Sequence, residues 1–205
     1  MEGIAFIIGN GPSRTQVDLE KLVGQAPIYG CNALYRNFNG WDYLVAIDDG
    51  MIEELRKVRK DNGILIIPPE EERWESPEYS PNRRRSNAGM NAMLEAIRRE
   101  APNGEEVELY CLGFDFILQG DSSVANIYDG TDNYGPETRA NKIDNIYRCQ
   151  YLEWFTNQHP NITFTFMLPR NETFYTFRAI HDNLCGIDVG DFNTRFNSTP
   201  HQSQR

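Results

Sequence analysis

Short runs of apolar residues recur along the chain, and most of them are continuous rather than alternating. Continuous runs of this length are typical of strands that are buried on both faces of a parallel sheet. The runs that predict such strands are 4–8, 43–47, 64–67 and 107–112, with further strands predicted at 26–29 and 162–166.

Between these runs, apolar residues recur every three or four positions, which is the spacing of amphipathic helices. The predicted helices are 13–22, 51–60, 87–99 and about 139–156. Strands that alternate with helices predict an α/β fold with right-handed crossovers and a single doubly wound, mostly parallel sheet of the Rossmann-like kind. We predict one nucleotide-binding domain over 1–190, followed by a polar, poorly ordered C-terminal tail over 191–205.

Two long segments interrupt this alternation. Residues 68–85 are rich in proline, glutamate and arginine, and residues 113–137 are rich in glycine, aspartate, serine and asparagine. Connections of this length inside a compact domain are most often lids or binding loops. We therefore expect 113–137 to be a lid loop that is mobile without ligand and closes over the site.

Composition and charge restrict the partners. Apolar residues make up 40% and charged residues 24% of the chain, and the formal net charge is −10. Such an acidic balance disfavours nucleic acid as the main partner, because phosphate repels the protein overall. The chain has no apolar stretch long enough to span a bilayer and no basic segment before its first apolar run, so we expect a cytoplasmic protein without an integral membrane segment.

The first chemical motif follows the first predicted strand and reads Gly9-Asn10-Gly11-Pro12-Ser13. The glycines allow a sharp turn and a close approach to a ligand, and a helix start directs free N–H groups at an anion. In open α/β sheets, ligands bind just beyond the carboxyl ends of strands. We interpret the motif as a nucleotide-phosphate site; the alternative is a tight turn with Ser13 as the helix N-cap.

Two further polar turns favour the same interpretation. Asn32 ends the second strand and either binds the nucleotide or serves as an ordinary turn residue. Asn87, Ala88 and Gly89 open a helix, where free amides either are capped or hold a phosphate. An arginine triplet at 83–85 precedes this turn and is either a solvated charge run or an anion contact.

A carboxylate and two phenols follow the predicted strand 107–112. Asp115 comes directly after it, and Tyr128 and Tyr134 lie in the lid loop. We predict catalytic roles for all three, with Asp115 binding a hydroxyl of the ribose or the acceptor. The alternative for Asp115 is to cap the loop.

Asp48 and Asp49 follow the predicted strand 43–47. Adjacent carboxylates at a strand end either hold Mg²⁺ against a diphosphate or cap the next helix and complement its dipole. The leading interpretation requires no cofactor, and Mg²⁺ is the alternative.

Four motifs in a fixed order carry a family resemblance. They are Gly9-Asn10-Gly11-Pro12-Ser13, Cys31-Asn32, the small-residue turn ending in Gly89, and Gly113-Phe114-Asp115-Phe116. Together, over residues 3 to about 168, they resemble the bacterial sialyltransferases of lipooligosaccharide and the related MptE-like group, which includes 6-hydroxymethylpterin pyrophosphokinases.

The resemblance implies that Asn10, Asn32 and the turn before Gly89 hold the CMP part of a donor sugar without a divalent metal. It also implies that Tyr128 and Tyr134 steady the leaving phosphate. The family's general base is a histidine late in the lid loop, whereas residues 113–145 contain none. A carboxylate would then take its place; the candidates are Asp115, Asp129, Asp132 and Glu137.

These observations lead to three hypotheses. The first is a glycosyltransferase that moves a sugar from a nucleotide-sugar donor of the CMP-sialic-acid type to a glycan acceptor. The second is an MptE-like, Mg²⁺-dependent pyrophosphokinase that uses Asp48 and Asp49. The third is a non-catalytic nucleotide-binding or assembly module, in which Phe192 and Phe196 of the tail anchor a partner or another subunit of a homo-oligomer.

Overall fold

The computed structural model describes residues 3–58, 63–73 and 86–197. Within these residues, seven strands form one sheet in which every neighbouring pair is parallel. The sheet confirms the predicted Rossmann-like α/β fold. Its strands are β1 (Gly3–Ile8), β2 (Ile28–Cys31), β3 (Tyr43–Val45), β4 (Ile64–Ile66), β5 (Val107–Leu112), β6 (Ile162–Leu168) and β7 (Leu184–Asp188).

The helices pack on both faces of this sheet. They are α1 (Asp49–Lys57), α2 (Glu70–Arg73), α3 (Ala88–Glu100), α4 (Lys142–Gln158) and α5 (Val189–Phe196). Helices α3 and α4 pack against one face, together with Ala5 and Ile7 of β1. The opposite face, with Phe6 and Ile8 of β1, is covered by α1, α5 and several short 3₁₀ helices. Each central strand is therefore buried on both faces, as its continuous apolar run predicts.

The order of the strands reverses between β1 and β5. The chain builds β2, β3 and β4 on one side of β1, and then returns to pair β5 with its other side, giving the order β4-β3-β2-β1-β5-β6-β7. The connections diverge at this point and leave a crevice beyond the carboxyl ends of the two strands, which is where open α/β sheets bind ligands.

At the sheet edges, the strand predicted at 64–67 is confirmed as β4, but its predicted burial is wrong and a further strand was missed. The apolar run 64–67 was expected to be buried on both faces, but β4 is an edge strand and Ile64 is 51% exposed. Strand β7 was missed, because its short stretch contains Gly186 and has no long apolar run. A run of apolar residues predicts a strand that is buried on both faces. An edge strand is only partly buried, so its sequence predicts its position and its burial less well.

The predicted helix 13–22 is also wrong. The chain forms two 3₁₀ helices here, Pro12–Gln16 and Leu19–Leu22. Val17 adopts an extended backbone between them, and the Asp18 side chain accepts a hydrogen bond from the Glu20 amide. An aspartate that bonds its own local backbone competes with a continuous helix.

The predicted polar tail is structured as far as the description extends. Helix α5 spans the predicted domain boundary at residue 190, and Phe192 and Phe196 are buried against the sheet. Both rings pack edge-on against Tyr110 of β5. Phe192 and Phe196, which were expected to anchor a partner or another subunit, thus pack in the core of their own chain. Residues 198–205 lie outside the described part of the chain.

In the described ranges, no helix has the length and apolar character that crossing a bilayer requires.

Helix α5 makes a measurable contribution to stability. Phe192 has no exposed surface, so we expect Phe192→Ala to lower the free energy of unfolding by about 3–5 kcal/mol. The measurement is urea denaturation of the full chain. Asp191→Asn, on the exposed side of the same helix, is the matched control and should change stability by less than about 0.5 kcal/mol. Equal stability of the two variants would show that α5 is not part of the core.

Candidate functional site

A cavity of about 390 Å³ lies at the reversal of the strand order. Its floor consists of the carboxyl ends of β1, β2 and β5 and the first turn of α3, and its roof consists of the lid loop and the start of α4. Of the predicted site residues, those that line the cavity are Gly9, Asn10, Gly11, Asn32, Asp48, Asn87, Ala88, Gly89, Asp115 and Tyr134. Pro12, Ser13, Asp49 and Tyr128 do not line it.

The glycines of the first motif support a contact between two loops. The Gly9 amide donates to the carbonyl of Leu112 at 2.7 Å, and the Gly11 amide donates to that of Gly113 at 2.9 Å. A Cβ atom would lie 2.6 Å from the Gly113 oxygen at residue 9 and 2.7 Å from it at residue 11. Gly113 itself has a φ of +71°, a backbone conformation that favours glycine. These glycines are therefore required by the packing of one backbone against another.

Asp115 joins the same two loops. Its carboxylate accepts a hydrogen bond from the Ser13 amide at 3.0 Å and a short one from the Ser13 hydroxyl. Burial raises the pKa of this carboxyl, although the bonds from Ser13 partly oppose the shift. Both oxygens are engaged by Ser13, which favours the capping alternative for Asp115 over the binding of a ligand hydroxyl.

Because of this packing, the amides of the first motif that were predicted to bind phosphate donate to other groups of the protein instead. The amides of Gly9 and Gly11 donate to the end of β5 and to the residue after it, the Ser13 amide donates to Asp115, and proline has no amide proton. The 3₁₀ helix that follows has only five residues. The motif thus shapes the floor of the cavity and does not provide a cradle of free amides.

The amides that are available belong to α3. Asn87 caps this helix, because its side chain accepts from the Met90 amide at 2.9 Å. Among the described residues, the amides of Ala88 and Gly89 have no partner, and both residues line the cavity. A Cβ atom at residue 89 would lie 2.9 Å from the ring of Phe114, so glycine here lets the loop after β5 approach the helix start. Free amides at a helix start are suited to an anion.

Asn10 and Asn32 present amide oxygens to the cavity. The Asn10 Nδ2 donates to the carbonyl of Cys31 at 3.3 Å, and the Asn32 Nδ2 donates to Asp48 at 3.0 Å. These bonds assign the orientation of each amide, because only the nitrogen can donate. Both Oδ1 atoms are then buried without a partner among the described residues.

Asn32 also has an unusual backbone. Its φ is +47° although it is not a glycine, and only 8% of its surface is exposed. Strained backbone of this kind clusters at functional sites, where it aims a side chain. This backbone conformation places the Asn32 side chain so that its Nδ2 donates to Asp48 while the residue lines the cavity.

The two predicted catalytic tyrosines have different surroundings. Tyr134 lines the cavity, and its buried hydroxyl has no partner of good geometry among the described residues, although the Ala33 amide and the Asn32 side chain lie close to it. Burial raises the pKa of Tyr134 above its usual value. Tyr128 instead accepts from the buried Arg14 at 2.8 Å and donates to Asn37 at 2.6 Å. Tyr128 therefore anchors the lid loop beneath the cavity.

The two candidate metal ligands diverge. Asp48 faces the cavity and holds Asn32, whereas the side chain of Asp49 is 97% exposed and lies 3.4 Å from Arg73. In residues 3–58, 63–73 and 86–197, no three His, Cys, Asp or Glu side chains form a group that could hold a metal ion. The arginine triplet at 83–85 lies outside these residues.

The roof supplies charged residues that sequence reasoning partly missed. Asp129 and Glu137 were candidates, and Asp129 is paired with Arg139 at 2.7 Å. Asp144 and Arg148 of α4 were not identified, yet both line the cavity. The signal was present as a capping box between Asn141 and Asp144 at the start of α4, but only the fold places that helix start beside the cavity.

The contact between the glycine loops predicts a selective effect of one methyl group. We expect Gly11→Ala to lower the free energy of unfolding by about 2 kcal/mol or more, because the new Cβ meets the Asp115 carboxylate, which Ser13 holds in place, and the Gly113 backbone oxygen. Gly120→Ala is the control, since the nearest atom to its Cβ is 3.6 Å away. Thermal unfolding of both variants tests this; a Gly11→Ala protein as stable as the control would contradict the packing role.

The comparisons with known proteins leave the family resemblance of the four sequence motifs a prediction. No family model, no curated protein and no solved structure matches this chain.

Proposed function

We propose that the protein is a glycosyltransferase that binds a nucleotide-activated sugar of the CMP-sialic-acid type and transfers the sugar to a glycan acceptor. The observation that carries the proposal is the pair of amide oxygens, from Asn10 and Asn32, fixed in a cavity at the reversal of the strand order. The order of the four sequence motifs supports the same donor class.

The fixed amide oxygens favour a ligand that is rich in donors. An amide oxygen accepts hydrogen bonds and cannot donate, so its partner must carry an N–H or O–H group. A cytidine offers both, in its exocyclic amino group and its ribose hydroxyls. The cavity of about 390 Å³ lies at the lower end of the roughly 300–1,000 Å³ typical of small-molecule sites, which suits a mononucleotide.

Charge favours a donor with few phosphates. The carboxylates that line the cavity belong to Asp48, Asp115, Asp129, Glu137 and Asp144, against the guanidinium groups of Arg139 and Arg148. Acidic groups in excess repel further negative charge. A nucleoside monophosphate such as CMP carries less negative charge than a nucleoside diphosphate or a triphosphate, and it is therefore repelled less.

The start of α3 supplies the place for that single phosphate. The amides of Ala88 and Gly89 line the cavity, and the positive end of the helix dipole adds to their attraction for an anion. The Tyr134 hydroxyl also lines the cavity, and its raised pKa keeps it protonated. Tyr134 is then a hydrogen-bond donor for the leaving phosphate.

Glu137 is the carboxylate best suited to act as general base. Of the four candidates, Asp115 is engaged by Ser13, Asp129 is paired with Arg139, and Asp132 does not line the cavity. Glu137 lines the cavity, and within the described ranges no hydrogen bond or ion pair engages its carboxylate.

The proposed reaction is a direct displacement at the anomeric carbon. The acceptor hydroxyl forms the new C–O bond as the bond between that carbon and the phosphate oxygen breaks. Glu137 takes the proton of the attacking hydroxyl, and the bonding electrons leave with the nucleotide phosphate. The cavity residues hold the two reactants in one place, which converts an encounter in solution into a reaction within one complex.

Nucleotide titration tests the donor site. We expect isothermal titration calorimetry to show that CMP binds more tightly than CDP, UDP, GDP or ATP with Mg²⁺. Asn32→Gly removes the amide but tolerates the positive φ, and it should weaken CMP binding about tenfold, the value of a lost hydrogen bond or two. Asn103→Ala, at an exposed asparagine that does not line the cavity, is the control and should bind CMP like the natural chain.

Two outcomes of this titration would contradict the proposal. Absence of binding for every nucleotide at millimolar concentration would exclude the donor site. Tighter binding of ATP with Mg²⁺ than of CMP would favour the pyrophosphokinase, which stays an untested alternative.

Hydrolysis of the donor tests the base without a known acceptor. With CMP-sialic acid and water as acceptor, we expect Glu137→Gln to lower kcat about 10²-fold or more, with a smaller change in KM. Release of CMP is followed by chromatography. Glu106→Gln, in the exposed turn before β5, is the matched control, and equal kcat values for the two variants would remove Glu137 from the mechanism.

A further inference from the structure

The segment 127–134 is here called the lid tip. Ile127, Tyr128 and Tyr134 pack in or against the hydrophobic core, whereas the residues between the two tyrosines contact the rest of the protein through polar groups. Its base is attached by the Ile127 amide, which donates to the carbonyl of Asn10 at 3.0 Å. Beyond Tyr128, residues 129–133 are all exposed. Exposed residues gain little from burial against an ordering cost of about 1–2 kcal/mol each. The polar contacts therefore decide whether residues 129–133 of the lid tip stay in place.

Arg36 supplies two of these contacts. Its Nη1 donates to the Thr131 hydroxyl at 2.7 Å, and its Nη2 donates to the carbonyl of Asp132 at 2.9 Å. The same guanidinium is held by Glu54 of α1, with bonds of 2.7 and 2.8 Å from Nη2 and one of 2.9 Å from Nε. Planar, multidentate bonding to a carboxylate fixes the guanidinium in one orientation.

Glu54 binds the lid tip a second time. It accepts from the Asn133 Nδ2 at 2.6 Å and from the hydroxyl of Tyr35. Although burial alone would raise the pKa of Glu54, the hydrogen bonds from Tyr35, Arg36 and Asn133 lower it. The carboxylate is thus charged at neutral pH, and one ion pair serves three successive residues of the lid tip.

Arg36 also connects the lid tip to the cavity. Its guanidinium lies 5.8 Å from the ring centres of both Tyr128 and Tyr134, and Tyr134 lines the cavity. Arg36 ends the 3₁₀ helix Asn32–Arg36, whose first residue is the strained asparagine of the cavity floor. One turn of helix thus carries the floor contact at one end and the roof contact at the other.

We propose that Arg36, held by Glu54, is a positioning residue that latches the lid tip over the cavity and keeps Tyr134 in place, and that this latch sets how long a ligand stays bound. The part that concerns the ligand rests on the nucleotide-binding function proposed above. The part that concerns the latch rests only on the contacts of residues 36, 54 and 131–133.

Hydrogen exchange of the ligand-free, full-length chain tests the latch. The reporters are the amides of Gly130, Thr131 and Tyr134, which are bonded within the lid tip. We expect Arg36→Gln to speed their exchange tenfold or more, and Arg36→Lys to give an intermediate rate, because lysine cannot bond Glu54 and the lid tip together. Thr131→Val leaves the ion pair intact and removes the two bonds of the hydroxyl, the one from Arg36 and the one that it donates to the Tyr128 carbonyl; it should show a smaller increase than Arg36→Gln.

Lys57→Gln is the matched control. It removes an exposed ion pair with Glu53 on the same helix α1, 3.1 Å long and away from the lid tip, and should leave the reporter amides unchanged. Reporter rates in Arg36→Gln equal to those of the control would overturn the latch. An increase over the whole chain, rather than in the lid tip, would overturn it as well, because it would show general destabilisation.

Stopped-flow binding with CMP tests the consequence for the ligand. We expect Arg36→Gln to raise the dissociation rate tenfold or more while the association rate changes less, since the latch acts after the ligand has entered. Faster lid exchange with unchanged CMP dissociation would overturn the positioning role. If the natural chain binds no CMP, the proposed function and the ligand part fail together, while the exchange result still decides the latch.

Discussion

The site depends on the approach of two loops at the point where the strand order reverses. The amides of Gly9 and Gly11 bond carbonyls of Leu112 and Gly113, and Ser13 bonds both oxygens of Asp115. No side chain fits between these backbones, so the ends of β1 and β5 are locked together. The floor of the cavity is consequently rigid, and the groups around it keep fixed directions.

This constraint changes the chemical meaning of the glycine-rich motif. The glycine-rich loop resembles a phosphate-binding loop in sequence, but its amides donate hydrogen bonds to the end of β5 and the loop that follows it. Other groups must therefore provide the hydrogen bonds to a ligand. Among the described residues, those groups are the asparagine oxygens of residues 10 and 32 and the unpartnered amides at the start of α3. The floor thus presents hydrogen-bond acceptors and one wall presents free amides, a division that suits the two halves of the nucleotide in the proposed donor.

The roof is built on a different principle from the floor. Buried backbone contacts hold the floor, whereas residues 129–133 of the lid tip are exposed and are held by the guanidinium of Arg36 and the carboxylate of Glu54. Closer to the base of the lid, the buried Arg14 bonds Tyr128, a second arginine on a tyrosine of the same loop. Hydrogen bonds and ion pairs of this kind fix the direction of a segment, yet opening them requires less free energy than opening a packed core.

The sequence by itself determined the fold class, because continuous apolar runs separated by helical periods admit few solutions other than a parallel sheet covered on both faces. It also placed the asparagines, Gly89 and Tyr134 at the edge where ligands bind, since the carboxyl ends of parallel strands share one edge. Only the tertiary structure decided which polar groups stay free: Asp115 is engaged by Ser13, Tyr128 by Arg14 and Asn37, and Asp49 turns to solvent. The tertiary structure also decided the contacts of Phe192 and Arg36, because their partners are distant in sequence. A local pattern reports periodicity and turn chemistry, whereas the partner of a side chain depends on segments that only the folded chain brings together.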